Sequence, residues 1–309
     1  MNKTIKKLYS ASMIPEVTIR KIFYSLPVLQ KYYKNRRKNS VNVEKQKLDK
    51  EILFSQINKA NISKGCLLIV HSSMDSLNHF DISPRELIDF LLKLIGNTGT
   101  LAMPAFPIYK TDIINDAKIE HLYNVKKKLC ATGMLPNVFL RYPNVVRSKF
   151  PYNSLAAVGP LADEMMQENL NSDLAFGKGS SWYFCKEQEA KVLMLGVPSH
   201  QTTTIVHVAE DYLDDKWPIK NWYVTRKFKI RDGQETLSKT IRIRDPFWVR
   251  FNASYYRTKC FKNEELLNEW EYEGISFGVI ENSSELVDYI VDRALNNKLF
   301  FKAPRKYWL

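Results

Sequence analysis

The sequence is poor in the signatures that would place it at a glance. No stretch of about 18 consecutive apolar residues is present, so no segment has the length that a bilayer-spanning helix needs. The start does not read as a secretory signal, because Ile14 to Tyr33 is broken by Glu16, Arg20, Lys21 and two prolines. Only four cysteines occur, Cys66, Cys130, Cys185 and Cys260, far apart and without C-x-x-C spacing. That excludes a cysteine-based zinc or redox motif and fits free thiols in a reducing cytosol. HExxH, Gly-x-Ser-x-Gly and G-x-G-x-x-G are all missing, which leaves no metal expected and no serine-hydrolase or dinucleotide reading. "FGKGSSW" departs from the P-loop pattern, since Lys178 is followed by Gly179, and reads as a flexible loop.

What is abundant is positive charge, and it is unevenly placed. The net charge is +13, and residues 1 to 50 hold 13 Lys and Arg against 3 Asp and Glu, so 13 − 3 = +10 sits in the first sixth of the chain. A basic head on a nearly neutral body argues against a nucleic-acid groove built into the fold, so nucleic acid is not an expected partner. Residues 1 to 47 read as a basic arm that also carries Ile19, Ile22, Phe23, Leu26 and Val28 and ends in "KNRRKN". Such a segment can lie on an anionic membrane surface or pack its apolar side on the body, and both readings stand. The expected location is the cytoplasm, with a peripheral membrane contact at its inner face under the first reading.

From residue 48 to 309 helical and strand patterns alternate. "SPRELIDFLLKLIG" is a helix opened by Ser83 with Glu86 three residues later, a capping box. "GCLLIVHSS", "GTLAMPAF" and "KVLMLGV" are short, wholly apolar strands, which implies a sheet covered on both faces. "WYVTRKFKIRDGQETLSKTIRIRD" alternates apolar and charged residues around "DG" and reads as a β-hairpin. The expected fold is a three-layer α/β/α domain with a largely parallel central sheet plus an antiparallel hairpin. In such sheets ligands gather beyond the carboxyl ends of the strands, here "HSSMDS", "PAFP" and the loop after "LGV".

One of those loops leads into "TTTIVHVAEDYL", where His207 and Glu210 lie at i and i+3. Side chains so spaced are about 60° apart around a helix and can meet. A carboxylate on one ring nitrogen fixes the tautomer and leaves the other nitrogen free as a general base. Surface helices carry such pairs too, and position after a strand-end loop is what favours chemistry. Thr204 is placed to cap the helix and to offer a hydroxyl or amide to a developing oxyanion. Asp211, Asp214 and Asp215 follow; the cluster suits a cationic amine substrate, and a solvated helix end is the plainer alternative. His71 reads as a satisfied core histidine.

Several segments in order resemble the aminoglycoside 3-N-acetyltransferase family: "LLIVHSSMDSL", "GTLAMPAF", "TGMLPNVFLRYPNVVRSKFPYNSLAAVGPLA", "FGKGSSWYF", "VLMLGV" and "TTIVHVAE". The resemblance implies a fold distinct from GNAT acetyltransferases, with acetyl-CoA as donor and a primary amine on a sugar-like ring as acceptor. It makes His207 the base, Glu210 its orienting partner and Thr204 the family's threonine three residues before the histidine. It also assigns Ser72, Ser73, Met74, Ala105, Phe106, Arg147, Ser148 and Ser154 to the CoA side of the cleft, while Asp211 and Asp214 are expected on the substrate side from the charge of their cluster alone. The chain departs from the family where Phe150 precedes Pro151 and where Gly179, Ser180 and Ser181 replace a Gly-Ser-Pro element. The expected acceptor is therefore an amino sugar of surface-polysaccharide synthesis, with an aminoglycoside antibiotic as the alternative.

Overall fold

The computed structural model of the protein describes residues 3–29, 47–109 and 117–309. Its described strands are β1 (Leu67–Ser72), β2 (Thr100–Pro104), β3 (Glu120–Asn124), β4 (Val146–Arg147), β5 (Leu155–Val158), β6 (Lys191–Leu195), β7 (Tyr223–Asp232), β8 (Glu235–Arg244), β9 (Asn268–Tyr272) and β10 (Ile275–Ile280). Seven form a central sheet in the order β4-β5-β2-β1-β6-β10-β9. The β2–β1 and β1–β6 neighbours are parallel, and the outer pairs are antiparallel. Counting through those pairings, β1, β2, β4, β6 and β9 run the same way.

The all-apolar strands have the reason that was expected. Leu67 and Ile69 of β1, with Val192 and Met194 of β6, face one core. The alternate residues Leu68, Val70, Leu193 and Leu195 face a second core on the opposite side of the sheet. Each such side chain removed from water contributes roughly 1.5–3 kcal/mol, so the double cover is what holds these three strands at the centre. Helix Pro84–Ile95 covers the second face and shows the anticipated capping box between Ser83 and Glu86. Helices Ser181–Glu187 and Ser283–Leu295 cover the first.

The expected hairpin is β7–β8, joined by a third strand, β3, which pairs parallel to β7. Its register pairs Asp232 with Glu235, so the turn centres on Gly233-Gln234 and not on Asp232-Gly233. Gly233 takes φ +60° and Gln234 does not, the arrangement of a II′ turn with glycine first.

Within the basic segment 1 to 47, the described residues 3–29 hold two helices. Helices Lys3–Ala11 and Met13–Ser25 pack on the body, and Pro15 is tolerated because it lies in the first turn of the second helix. Glu16 is 2% exposed. Its carboxylate accepts from Arg20 (2.9 and 3.0 Å), Ser254 Oγ (2.7 Å) and the Tyr255 amide (2.9 Å). Val17 joins a third core of Trp217, Trp222, Trp248, Phe251 and Phe301. The "KNRRKN" run lies outside the described residues. Among the described residues no helix is long and apolar enough to cross a membrane.

Candidate active site

After β6 the chain makes one helical turn, Ser199–Thr202, then a 3-10 turn, Thr204–Val206, that runs directly into helix His207–Leu213. His207 Nδ1 lies 3.0 Å from Glu210 Oε1, the contact that i,i+3 spacing predicts. The other ring nitrogen makes no hydrogen bond among the described residues. The His207 side chain is 24% exposed, on the wall of a cleft of about 100 Å³ that Tyr152, Asn153, Phe176, Asp211, Arg242 and Arg244 also line. Phe176 stacks obliquely on the imidazole at 5.3 Å and on Trp182 at 5.5 Å. The buried Trp182 in turn donates its indole N–H to the Asn153 carbonyl (2.7 Å), so the imidazole and the loop opposite it rest on one rigid ring stack.

Electrostatics suit a base. Burial lowers the His207 pKa below its ordinary value, although Glu210 pulls the other way, so the ring is neutral at pH 7. For Glu210 burial works to raise the pKa, but His207, Arg244 and Arg257 together outweigh it and hold the carboxyl ionised. Arg244 Nη1 stands 3.6 Å from Glu210 Oε1. Arg257, itself 6% exposed and pushed down to about 10 by burial, shares an internal cavity wall with Glu210. These two arginines escaped the sequence reading. They arrive from β8 and from helix Ser254–Asn263, and the only linear hint was the alternation of Arg242 and Arg244 on one face of the hairpin.

Of the two aspartates assigned to the substrate side, the structure brings only Asp211 into the cleft. It is 9% exposed and accepts from the Phe176 amide (2.9 Å) and the Tyr223 hydroxyl (3.0 Å). Burial, then the nearby Glu210, push its pKa up to about 7. Asp214 faces elsewhere and takes a bidentate grip from Arg242 (2.6 and 2.9 Å), which also holds Asp173. Thr204 does not cap the helix: the capping position is Val206, and Thr204 Oγ1 points to the Thr202 carbonyl at 3.5 Å. The 3-10 turn ahead of the helix removes the geometry that a side-chain cap needs.

The residues assigned to the CoA side divide sharply. The Arg147 guanidinium is buried and donates to the carbonyls of Ala105 (2.7 Å), Val125 (3.3 Å) and Lys128. Ser154 Oγ donates to the same Ala105 carbonyl (2.7 Å), and Ser148 Oγ pairs with Asn169 and accepts from the Phe150 amide (3.1 Å). These three side chains are spent on the fold, and Ala105 is fully buried among them. Phe106 is half-buried against Trp182 at 6.4 Å. At the end of β1 the situation differs. Ser72 Oγ and His71 Nε2 are buried without a hydrogen-bond partner among the described residues, so His71 is not the satisfied core histidine expected. Burial pushes its imidazole down to about 4. Ser73 caps the short helix Met74–Leu77, whose first residue is buried. "FGKGSSW" is an ordered turn in which Ser180 caps helix Ser181–Glu187. Phe150 is a core residue, 3% exposed, and the cleft wall there is built from Tyr152 and Asn153. Among the described residues no three His, Cys, Asp or Glu side chains come together as a metal site would require.

With the geometry in hand, comparison with known proteins decides the family. The model of the aminoglycoside 3-N-acetyltransferase family matches residues 69–285. The chain belongs to this family. Aminoglycoside N(3)-acetyltransferase IV of Salmonella sp is 30% identical over 158 residues, 51% of this chain and 57% of that protein. Aminoglycoside N(3)-acetyltransferase IX of Micromonospora chalcea is 28% identical over 165 residues, 50% of this chain and 58% of the relative. The chain therefore spans a little over half the length of these curated relatives. Solved structures share the fold far more completely. Aminoglycoside acetyltransferase AAC(3)-IIb superposes with a TM-score of 0.69 at 22% identity, covering 84% of this chain and 100% of the other. AAC-IIIb, solved as a binary complex with CoASH, gives 0.67 at 18% identity over 83% and 98%. The fold is that of the aminoglycoside acetyltransferases of this family. The matched segment, residues 69–285, starts beyond the two N-terminal helices and ends within helix Ser283–Leu295.

Proposed function

We propose that the protein is an N-acetyltransferase that moves an acetyl group from acetyl-CoA to a primary amine of an amino sugar, with aminoglycosides as the acceptor class. The observation that carries this reading is the 3.0 Å contact between His207 Nδ1 and Glu210 at the wall of the cleft. An amine is protonated at neutral pH and cannot attack until it loses a proton, so a neutral imidazole with one free nitrogen is the group required. The ammonium first releases its extra proton to solvent; as the free amine nitrogen bonds to the acetyl carbon His207 takes one remaining N–H proton, and returns it to the sulfur as the carbon–sulfur bond breaks. Glu210, held ionised by Arg244 and Arg257, keeps the ring in one tautomer and stabilises it while it is charged. Asp211 stands in the same cleft as an acidic neighbour for a cationic acceptor.

The donor thioester supplies an activated acyl group. The residues at the end of β1 are the better candidates to meet it, because the Ser72 hydroxyl and the His71 ring nitrogen have no hydrogen-bond partner among the described residues. Arg147, Ser148 and Ser154 are the poorer ones, being already paired within the fold. Between the two acceptor expectations, the names of the relatives support the aminoglycoside, and the surface-polysaccharide role gains nothing from them. The reading is tested by following free CoA thiol from acetyl-CoA against aminoglycosides, free amino sugars and nucleotide-linked amino sugars. Turnover with aminoglycosides is expected; turnover confined to nucleotide amino sugars overturns the acceptor, and no turnover with any amine overturns the reaction.

A further inference from the structure

Exposed aliphatic side chains are frequent on the two N-terminal helices and just beyond them. On helix Met13–Ser25 and just beyond it, Ile14 is 60% exposed, Ile19 50%, Ile22 51% and Leu26 48%, and Leu8 of the preceding helix is 54% exposed. At about 100° per residue, Ile14, Thr18, Ile22 and Ser25 form one row along that helix with Ile19 beside it. The opposite arc carries Glu16, Val17 and Arg20, which are fastened to the body. A helix fastened to the body by one face that also exposes three isoleucines on the other carries more apolar surface than a solvated face needs, and exposed apolar surface of this kind marks an interaction site.

Charge identifies the cover. Along the edge of the same helix, Met13 and Lys21 form one wall of a groove of about 770 Å³ whose other wall is the C-terminal segment. Its cations are Lys21, Arg293, Lys298, Lys302 and Arg305, and no carboxylate lines it. Arg293 Nε is buried there without a hydrogen-bond partner, and Phe301 and Trp308 supply apolar floor. A nucleic acid would have no use for the exposed Ile14, Ile19 and Ile22. A second copy of this chain would bring the same five cations against these, and like charges brought together repel. An anionic bilayer surface satisfies both halves, with aliphatic side chains entering the acyl boundary and lysine and arginine meeting phosphates. The sequence adds Lys31, Lys34, Arg36, Arg37 and Lys38 directly after this region.

We propose that the outward face of helix Met13–Ser25 and the cationic groove beside it seat the protein on an anionic phospholipid surface. The surface is preformed, because Glu16 and Val17 lock the inward face whether or not lipid is present. This inference is independent of the acceptor and of the reaction. Its test is co-sedimentation of the full chain with vesicles of phosphatidylcholine alone, or of phosphatidylcholine and phosphatidylglycerol at about 3:1. Binding is expected to the mixed vesicles only. It should fall at least about 10-fold both in Ile14→Ser/Ile19→Ser/Ile22→Ser and in Lys298→Glu/Lys302→Glu/Arg305→Glu. All substituted positions are exposed, and unchanged circular dichroism and melting temperature verify that the variants fold. Absence of wild-type binding to mixed vesicles overturns the proposal. So does binding that the isoleucine substitutions leave intact, which would be non-specific adhesion of a basic protein. A concentration-dependent dimer that the isoleucine variant abolishes, without vesicle binding, would assign the face to a second copy and equally overturn it.

Discussion

Loop 147–154 and helix His207–Leu213 meet at the same cleft, and each carries buried polar side chains. In the loop, Arg147, Ser148 and Ser154 have protein partners for their guanidinium nitrogens and hydroxyls, apart from Arg147 Nε. In the helix, His207 has a partner on one nitrogen and an open cleft on the other, and Glu210 draws charge from two arginines. Similar burial thus serves opposite ends. Polar groups that close on one another fix a backbone, whereas a group held firmly on one side and left open on the other is available for reaction.

The sharpest way to break this comparison is His207→Ala. Removing a general base should lower kcat by about 10²–10⁴-fold with acetyl-CoA binding retained. Steady-state kinetics with separate binding measurements checks it, and a variant with full activity would place the chemistry elsewhere. Glu210→Gln should cost about 10²-fold, because the ring loses its orienting charge while keeping a hydrogen-bonding neighbour. Arg147→Ala attacks the other cluster. It should lower stability by about 3–5 kcal/mol in denaturant unfolding, since three carbonyls lose a buried charged donor. The fraction that remains folded should turn over within a few-fold of wild type. Unchanged stability with a raised KM for acetyl-CoA would instead make Arg147 a donor-binding residue.

Asp211 gives the smallest effect and a signed one. Its folded pKa is raised to about 7, so its contribution to stability is full below the ordinary carboxylate range and is lost as pH rises toward 7. Asp211→Asn lacks that loss and gives up one of two accepted hydrogen bonds. Its melting temperature relative to wild type should therefore improve from pH 5 to pH 8, as differential scanning calorimetry can measure. A constant offset would mean that the carboxyl does not titrate in this range.

Much of this was legible in the chain because it depends on short spacings. The i,i+3 pair, the capping box of Ser83 and Glu86, the three apolar strands and the hairpin follow from neighbours within a few residues. What was not legible depends on distant partners. Arg147 falls on a segment assigned to the CoA side until residues 105, 125 and 128 bring their carbonyls to it. Asp214 reads as a free carboxylate until Arg242 arrives from β8. Thr204 looked like a cap because a 3-10 turn before a helix leaves no mark in composition. How the N-terminal helices meet the body was left open in the sequence because the role of Glu16 rests on Ser254 and Tyr255, far along the chain.

The central claim is that a neutral His207, poised by an ionised Glu210, is the base. Its most direct test is the acid limb of kcat against pH in wild type and in Glu210→Gln. Burial places the wild-type limb below 6.5. Since Glu210 is the group that pulls the His207 pKa upward, the limb should move to still lower pH in the variant while kcat falls. A wild-type limb above 6.5, or one that stays in place or moves upward when Glu210 loses its charge, would contradict the account.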